Sequence, residues 1–181
     1  RVIYQMVLGI SQTLPEFKAN AYVRGASDVQ KISNAELKDK WTVIFFYPRD
    51  FTFVCPTEIQ AFAKLSKEFE REGATVIGVS TDSYYSHKAW FESDEKLKDV
   101  NFPVIADTTH EIAKAFGVLK ESEGEAFRGT FIIDTNGVVR HAVVNDMGIG
   151  RSVEETLRTL QALRTGKLCP VEWKPGQTTL D

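Results

Sequence analysis

The chain has 181 residues, of which 43% are hydrophobic and 26% are charged. This length and composition suit one globular domain and exclude a collagen, a coiled coil and a disordered chain. The formal net charge of −3 gives no general attraction to nucleic acid or to anionic membranes, and no apolar run is long enough to span a bilayer.

Cysteine and histidine usage narrows the class of protein. The two cysteines, Cys55 and Cys169, are too few for a disulfide-stapled secreted scaffold. The three histidines stand singly and show no ligand spacing with either cysteine, so we expect no metal site. Residues 1–5 show no apolar segment of a secretory signal peptide. We therefore expect an intracellular, cytoplasmic enzyme or binding domain.

The first half of the chain predicts a strand–helix–strand unit after an initial strand at Phe17–Val23. The continuous apolar run Trp41–Tyr47 is typical of a strand that is buried on both faces. A helix with one apolar face is expected to begin at Cys55 and to end at Gly73. A second buried strand follows at Thr75–Ser80, so the unit predicts a right-handed parallel crossover.

The second half predicts two helices and then a hairpin. The helices are expected near Asp82 and over His110–Phe116. Two β-rich runs, Phe127–Ile133 and Val138–Val144, flank an Asn-Gly pair that ends at Gly137, and this pattern is a strong hairpin signal.

A last helix and a C-terminal arm complete the chain. The run Ser152–Glu155 reads as a capping box that begins the helix, and Gly166 follows its end. Residues 167–181 contain two prolines and predict an extended arm. We therefore divide the chain into a domain over 1–166 and an arm over 167–181. The element order predicts an α/β fold with a central mixed sheet flanked by helices, which is the thioredoxin-like arrangement.

Cys55 lies where the first buried strand gives way to a helix, and in the thioredoxin-like arrangement redox chemistry occurs at this junction. A helix N-terminus favours thiolate over thiol, but it supplies only ~0.3–1 kcal/mol of the roughly 3 kcal/mol needed for a mostly ionised thiol. A buried cation and hydrogen bonds must provide the rest. The candidates are Thr52, three residues earlier, and Arg128, on a strand expected near the centre of the sheet.

The spacing of the two cysteines selects the reaction. The run from Cys55 to Glu58 is Cys-Pro-Thr-Glu and holds no second cysteine, so exchange through a C-x-x-C dithiol is excluded. A single activated thiolate can instead attack an electrophile, become a sulfenic acid and condense with a distant thiol. Cys169 is the one other cysteine. Taken without its neighbours, Cys55 could also be an inert buried residue and Cys169 a bystander.

A twelve-residue run carries a family resemblance, namely Pro48-Arg-Asp-Phe-Thr52-Phe-Val-Cys55-Pro-Thr-Glu58-Ile. It resembles the Pro-x-x-x-Thr-x-x-Cys motif of the typical 2-Cys peroxiredoxins, in the alkyl hydroperoxide reductase subgroup. Further matching runs extend the resemblance over nearly the whole chain: Ile77–Ser80, Trp90, Phe102–Pro103, Ala106–Asp107, Arg128–Asp134, Gly150–Glu155 and Cys169–Trp173.

The resemblance implies a role for each candidate residue. Cys55 would be the peroxidatic nucleophile, and Cys169, in the arm of a partner subunit, would be the resolving thiol. Thr52 would hydrogen-bond the peroxide and the thiolate. Arg128 would hold the thiolate and the charge that develops on the peroxide oxygens, and Pro48 would shield the pocket from water. No metal or organic cofactor is implied.

The resemblance also implies partners. Substrates would be hydrogen peroxide and organic hydroperoxides, and electrons would come from thioredoxin or a dedicated flavoprotein reductase. The protein would form homodimers that assemble into a ring decamer. A redox-regulated holdase chaperone or a peroxide-sensing scaffold is the alternative, and a dithiol reductase is disfavoured by the missing C-x-x-C.

One departure from the family pattern bears on resistance to overoxidation. Sensitive peroxiredoxins carry a Gly-Gly-Leu-Gly insertion before the Phe-Pro pair and a Tyr-Phe pair in a longer C-terminal helix. Here the segment Glu95–Asn101 replaces the first, and no Tyr-Phe follows Cys169. The chain thus resembles the robust bacterial type.

Two roles stay open for Glu58: it would serve the helix dipole or orient Arg128.

Overall fold

The computed structural model of the protein describes residues 6–181, and its centre is a seven-stranded mixed sheet. The elements in chain order are β1 (Lys18–Tyr22), β2 (Gln30–Ser33), α1 (Asn34–Leu37), β3 (Trp41–Phe46), α2 (Cys55–Lys64), α3 (Ser66–Arg71), β4 (Ala74–Ser80), α4 (Tyr84–Ser93), β5 (Val104–Ala106), α5 (Glu111–Ala115), β6 (Leu119–Lys120), β7 (Glu125–Ala126), β8 (Arg128–Ile133), β9 (Val139–Asn145) and α6 (Val153–Thr165). A 3-10 turn, Glu95–Leu97, follows α4.

The strand order is β2-β1-β5-β4-β3-β8-β9. The central strands β3, β4 and β5 are parallel, and the outer pairs are antiparallel. The parallel crossover between β3 and β4 and the β8–β9 hairpin are both confirmed. The α/β, thioredoxin-like class is confirmed with them.

Two apolar layers cover the sheet because successive residues of a strand point to opposite faces. On β3, Val43 and Phe45 pack in one layer with α2, α3, α4 and α6, whereas Ile44 and Phe46 pack in the other with α1 and α5. All residues of β3 after the partly buried Trp41 are buried, as the apolar run predicts.

The prediction of one continuous helix from Cys55 to Gly73 is wrong. It is interrupted at Leu65, whose ψ of 9° leaves the helical region, so that α2 and α3 are separate helices. The apolar spacing continues across the break, and periodicity alone therefore does not reveal it. The segments β2, α1, β5, β6 and β7, each of five residues or fewer, were not predicted.

The capping box expected at Ser152 is only half formed. The Ser152 hydroxyl accepts a hydrogen bond from the Glu155 amide at 3.2 Å. The Glu155 carboxylate, however, accepts from the Arg158 guanidinium at 2.6 Å instead of turning back to the helix start. The competing partner one helical turn later explains the difference.

Residues 167–181 contain turns but no helix or strand. Trp173 is buried, and its carbonyl accepts a hydrogen bond from Arg158 of α6 at 2.9 Å. The Leu180 amide donates to the Leu168 carbonyl at 2.9 Å, which closes the arm into a loop against α6.

No helix within residues 6–181 has the length and apolar character needed to cross a membrane. The N-terminal segment 1–5, for which the sequence shows no signal-peptide pattern, lies outside the described residues.

Candidate active site

The centre of the site is Cys55, the first residue of α2. The loop from Pro48 to Val54 connects the end of β3 to this helix, and Cys55 is 1% exposed. Pro56 follows in the first helical turn, where a missing N–H removes no helical hydrogen bond. The thiol therefore lies at the positive end of α2 and is enclosed by protein.

Arg128 reaches this thiol from β8. The β3–β8 register pairs Phe45 with Thr130, so Arg128 lies beside the residues that follow β3. Its Nη1 donates to Cys55 Sγ at 3.4 Å, and its Nε donates to the Met147 carbonyl at 2.8 Å. The structure thus brings together the two sequence candidates that are 73 residues apart, and both are buried.

A buried carboxylate holds Arg128 in place. Glu58, in the first turn of α2, accepts from Arg128 Nη1 at 2.8 Å. It also accepts from the Arg151 backbone amide at 2.9 Å and from Arg151 Nε at 3.0 Å. Of the two roles left open for Glu58, the geometry supports the orientation of Arg128.

Arg151 is a residue of the site for which the sequence analysis predicts no role. Its Nη1 donates to the Gly129 carbonyl at 2.8 Å and to Thr130 Oγ1 at 3.0 Å, and its Nη2 donates to the Phe46 carbonyl. Burial lowers the pKa of Arg151 from its ordinary value, and the Glu58 carboxylate opposes that shift.

A local chemical signal existed for Glu58, whereas Arg151 stood out only as part of the matching run Gly150–Glu155. Glu58 is one helical turn from Phe62, so it is a carboxylate on the apolar face of an amphipathic helix. Arg151 directly precedes the N-cap Ser152, where a cation has no local electrostatic advantage, so its residue type alone did not indicate a role.

The charges of the cluster do not balance without the thiol. Arg128 and Arg151 carry two positive charges, and Glu58 carries one negative charge. A buried cluster with one surplus positive charge favours a neighbouring anion. The atom available to supply that anion is Cys55 Sγ, which accepts from Arg128.

The other predicted site residues, Thr52, Pro48 and Cys169, make no hydrogen bond to Cys55 in the described part of the chain. Thr52 Oγ1 donates to the Arg49 carbonyl at 2.9 Å, and it makes no hydrogen bond to Cys55 within the described residues. Pro48 is buried at the start of the loop. Cys169 is half-buried on the arm, where its Sγ contacts Thr165 Oγ1 at 3.5 Å.

The two cysteines are both free, and no hydrogen bond links them. Over residues 6–181, His, Cys, Asp and Glu side chains form no group of three or more that could hold a metal ion.

The chain is similar to known peroxiredoxins over most of its length. The model of the AhpC/TSA family matches residues 10–142. A peroxiredoxin of Bacillus subtilis (strain 168), YkuU, is 50% identical over 176 residues, which cover 94% of this chain and 97% of the relative. The chloroplastic 2-Cys peroxiredoxin BAS1 of Spinacia oleracea is 48% identical over 178 residues, with 94% of this chain and 67% of the relative covered.

The chain is also similar in structure to solved members of the same family. The crystal structure of Enterococcus faecalis AhpC has a TM-score of 0.86 at 38% identity and covers 91% of this chain and 100% of its own. Reduced Plasmodium vivax 2-Cys peroxiredoxin has a TM-score of 0.88 at 34% identity, with 94% and 91% covered. The fold and the buried thiol–guanidinium site define a thiol-dependent peroxidase. The chain belongs to the AhpC/TSA family, as a typical 2-Cys peroxiredoxin of the AhpC type.

Proposed function

We propose that Cys55 is the peroxidatic nucleophile of this peroxidase. Its thiolate attacks the terminal oxygen of a hydroperoxide, the O–O bond breaks, and Cys55 becomes a sulfenic acid. The leaving oxygen takes up a proton and departs as water or an alcohol. The observation that carries this proposal is the 3.4 Å contact between Arg128 Nη1 and Cys55 Sγ.

Arg128 has the geometry to stabilise the transition state. Negative charge spreads from sulfur over both peroxide oxygens during the attack, and a donor already fixed beside the sulfur needs no reorganisation. Glu58 and the Met147 carbonyl fix the guanidinium through hydrogen bonds of 2.8 Å each. Arg151 in turn holds Glu58, so it acts as a positioning residue.

Thr52 and Pro48 complete the proposed pocket. The Thr52 hydroxyl donates to the Arg49 carbonyl, which leaves its oxygen lone pairs free to accept a proton donor such as a hydroperoxide O–H. Pro48 is buried at the start of the loop and has no backbone N–H to donate to water. We assign these residues to the orientation of the peroxide and to the exclusion of water.

Resolution is assigned to Cys169 of a partner subunit. Its thiol attacks the Cys55 sulfenic acid, the two sulfurs form a disulfide, and water leaves. Since Cys55 is 1% exposed, the first turn of α2 must open before a second sulfur can reach it. The peroxidase domain over 1–166 thus supplies the nucleophile, and the arm over 167–181 supplies the resolving thiol.

Family membership implies hydroperoxide substrates and an oligomeric assembly, and we assign the finer details by resemblance. The protein is a homodimer that assembles into a ring decamer in the cytoplasm, and thioredoxin or a flavoprotein reductase returns it to the dithiol. A holdase or a peroxide-sensing scaffold is not favoured, because the family match, the relatives and the similar solved structures are those of peroxiredoxins and AhpC proteins.

The test combines single-cysteine variants with peroxide consumption and non-reducing gels. Cys55→Ser should abolish consumption, whereas Cys169→Ser should retain it when dithiothreitol replaces the protein reductant. One equivalent of peroxide should produce covalent dimers in the unmodified protein and none in either variant. A mixture of the two variants should form dimers again if the disulfide joins subunits. An oxidised band of monomer mass would contradict the intersubunit assignment.

A further inference from the structure

A buried polar cluster lies beneath the active-site loop and outside the Cys55 site. It consists of Tyr47, Asp50, Ser86 and His87 and is called the Asp50 cluster here. Asp50 belongs to the loop that leads to Cys55, whereas Ser86 and His87 belong to α4. The side chains of Asp50 and His87 are 1% and 0% exposed. The peroxide chemistry described above gives this cluster no role.

The Asp50 carboxylate accepts three hydrogen bonds. Tyr47 donates from its hydroxyl to Oδ1 at 2.7 Å, and Ser86 donates to Oδ2 at 2.8 Å. His87 Nδ1 lies 2.7 Å from the same Oδ2. The Asp50 backbone amide donates to Asp82 at 2.9 Å. Both the side chain and the backbone of Asp50 are therefore held.

Both ring nitrogens of His87 make contacts that require a hydrogen. Nε2 lies 3.1 Å from the Ile105 carbonyl oxygen, which can only accept, so Nε2 carries a hydrogen. The short contact between Nδ1 and Asp50 needs a second proton. His87 thus connects the loop at Asp50 to strand β5 through two directional contacts, and it has no freedom to rotate.

The placement of the cluster in the chain suggests what it controls. Asp50 is five residues before Cys55 and two before Thr52. The residue between, Phe51, has a φ of 57°, a left-handed conformation that is unfavourable for a bulky side chain. A strained residue persists only where its surroundings over-determine it. On one side of Phe51 that constraint is the Asp50 cluster.

Buried polar contacts are weak evidence for added stability, because the cost of desolvating the two groups offsets their attraction. Fixing a geometry is the better explanation for this one. We propose that the His87–Asp50 contact is a positioning contact for the peroxide step, which holds the loop so that Thr52 and Cys55 are aligned for attack. The inference rests on the roles proposed above for Thr52 and Cys55, and it adds a residue that touches neither of them.

The two steps of the catalytic cycle should respond differently to loss of this contact. Attack on peroxide needs the loop closed and aligned, and misplacement by about 1 Å can cost up to ~10²-fold in rate. Disulfide formation needs the first turn of α2 open. A loosened loop should therefore slow the first step and leave the second step unchanged or faster.

Two variants of His87 separate the contacts. In His87→Asn the amide nitrogen occupies the place of Nδ1 and keeps the contact with Asp50, whereas in His87→Gln it occupies the place of Nε2 and keeps the contact with Ile105. Each variant loses one buried hydrogen bond. We expect His87→Gln to lower the second-order rate with peroxide by about tenfold. His87→Asn should react at least about threefold faster than His87→Gln.

The measurements are stopped-flow peroxide reaction, the rate of disulfide formation and the thermal midpoint of each variant. Equal losses in the two variants, or no loss in His87→Gln, would overturn the inference and leave the peroxidase intact. Ser86→Ala removes the hydroxyl that donates to Asp50, and Ser86 is only half-buried. Like His87→Gln, it should lower the rate constant with peroxide, by about threefold. If His87→Gln fails to fold, an unchanged rate in Ser86→Ala overturns the inference. An unmodified protein without peroxide reactivity would overturn both proposals.

Discussion

The Arg128 guanidinium lies 3.4 Å from the Cys55 sulfur, and the same nitrogen donates to the Glu58 carboxylate at 2.8 Å. Nη1 of Arg128 therefore contacts both the Cys55 sulfur and the Glu58 carboxylate, which balances part of the positive charge of the guanidinium. This arrangement fixes the cation without neutralising it fully, because Arg151 also donates to Glu58. In the proposed reaction, the surplus positive charge would stabilise the negative charge that develops on the peroxide oxygens.

Arg128→Met should lower the second-order rate constant with peroxide by roughly 10²-fold or more, because it removes a preorganised donor aimed at the developing charge. Stopped-flow reaction with peroxide measures the effect. Arg140→Met is a matched control, since Arg140 is a half-exposed cation on β9 that pairs with Asp134. An unchanged rate in Arg128→Met, with a normal rate in the control, would show that Arg128 is structural.

Thr52→Val should lower the same rate constant by roughly 10²-fold, since valine keeps the shape but has no hydroxyl to orient a peroxide. Thr52→Ser retains the hydroxyl and should recover most of the rate. Because the Thr52 hydroxyl contacts Arg49 and not Cys55, the comparison of the two variants tests the role directly. If valine and serine behave alike, the hydroxyl takes no part in the reaction.

The enzyme should keep turning over at peroxide levels that inactivate sensitive family members. Overoxidation adds a second oxygen to the sulfenic acid before the resolving thiol arrives, so fast opening of the first turn of α2 protects Cys55. The resemblance implies that the segment Glu95–Asn101, which begins with the 3-10 turn Glu95–Leu97, replaces the insertion of sensitive family members. Intact-mass analysis after turnover with excess reductant should show little Cys55 with two added oxygen atoms. Ready accumulation of that species at low peroxide would refute the robust assignment and leave Cys55 reactive.

Stability should fall with acid partly through His141 on β9. Burial lowers the pKa of His141 below its ordinary value of 6.5, with Glu155 opposing the shift and Arg158 adding to it. The unfolded chain therefore binds this proton more readily, and the free energy of unfolding declines as pH falls through 6.5. His141→Gln should make the decline shallower, as measured by urea unfolding on both sides of that pH. An equal decline in both proteins would contradict the assignment.

Local patterns predicted the main elements of the fold correctly. The enclosed run Trp41–Tyr47, the Asn-Gly turn and the helix beginning at Cys55 each depend on neighbours close in sequence, so one sequence suffices to read them. The break at Leu65 and the short strand Val104–Ala106 were missed. Both are decided by packing against other elements and not by their own periodicity.

The sequence by itself determined the place of Cys55 at a helix N-terminus, the absence of an adjacent second thiol and the motif around it. Only the tertiary structure decided which groups surround Cys55. Arg128 and Arg151 meet Glu58 across 70 and 93 residues of chain, and His87 meets Asp50 across 37. Such contacts follow from the register of β3 against β8 and from the packing of α4 beneath the loop. A local pattern carries no information about either, because the attraction between buried charges depends on their distance in space.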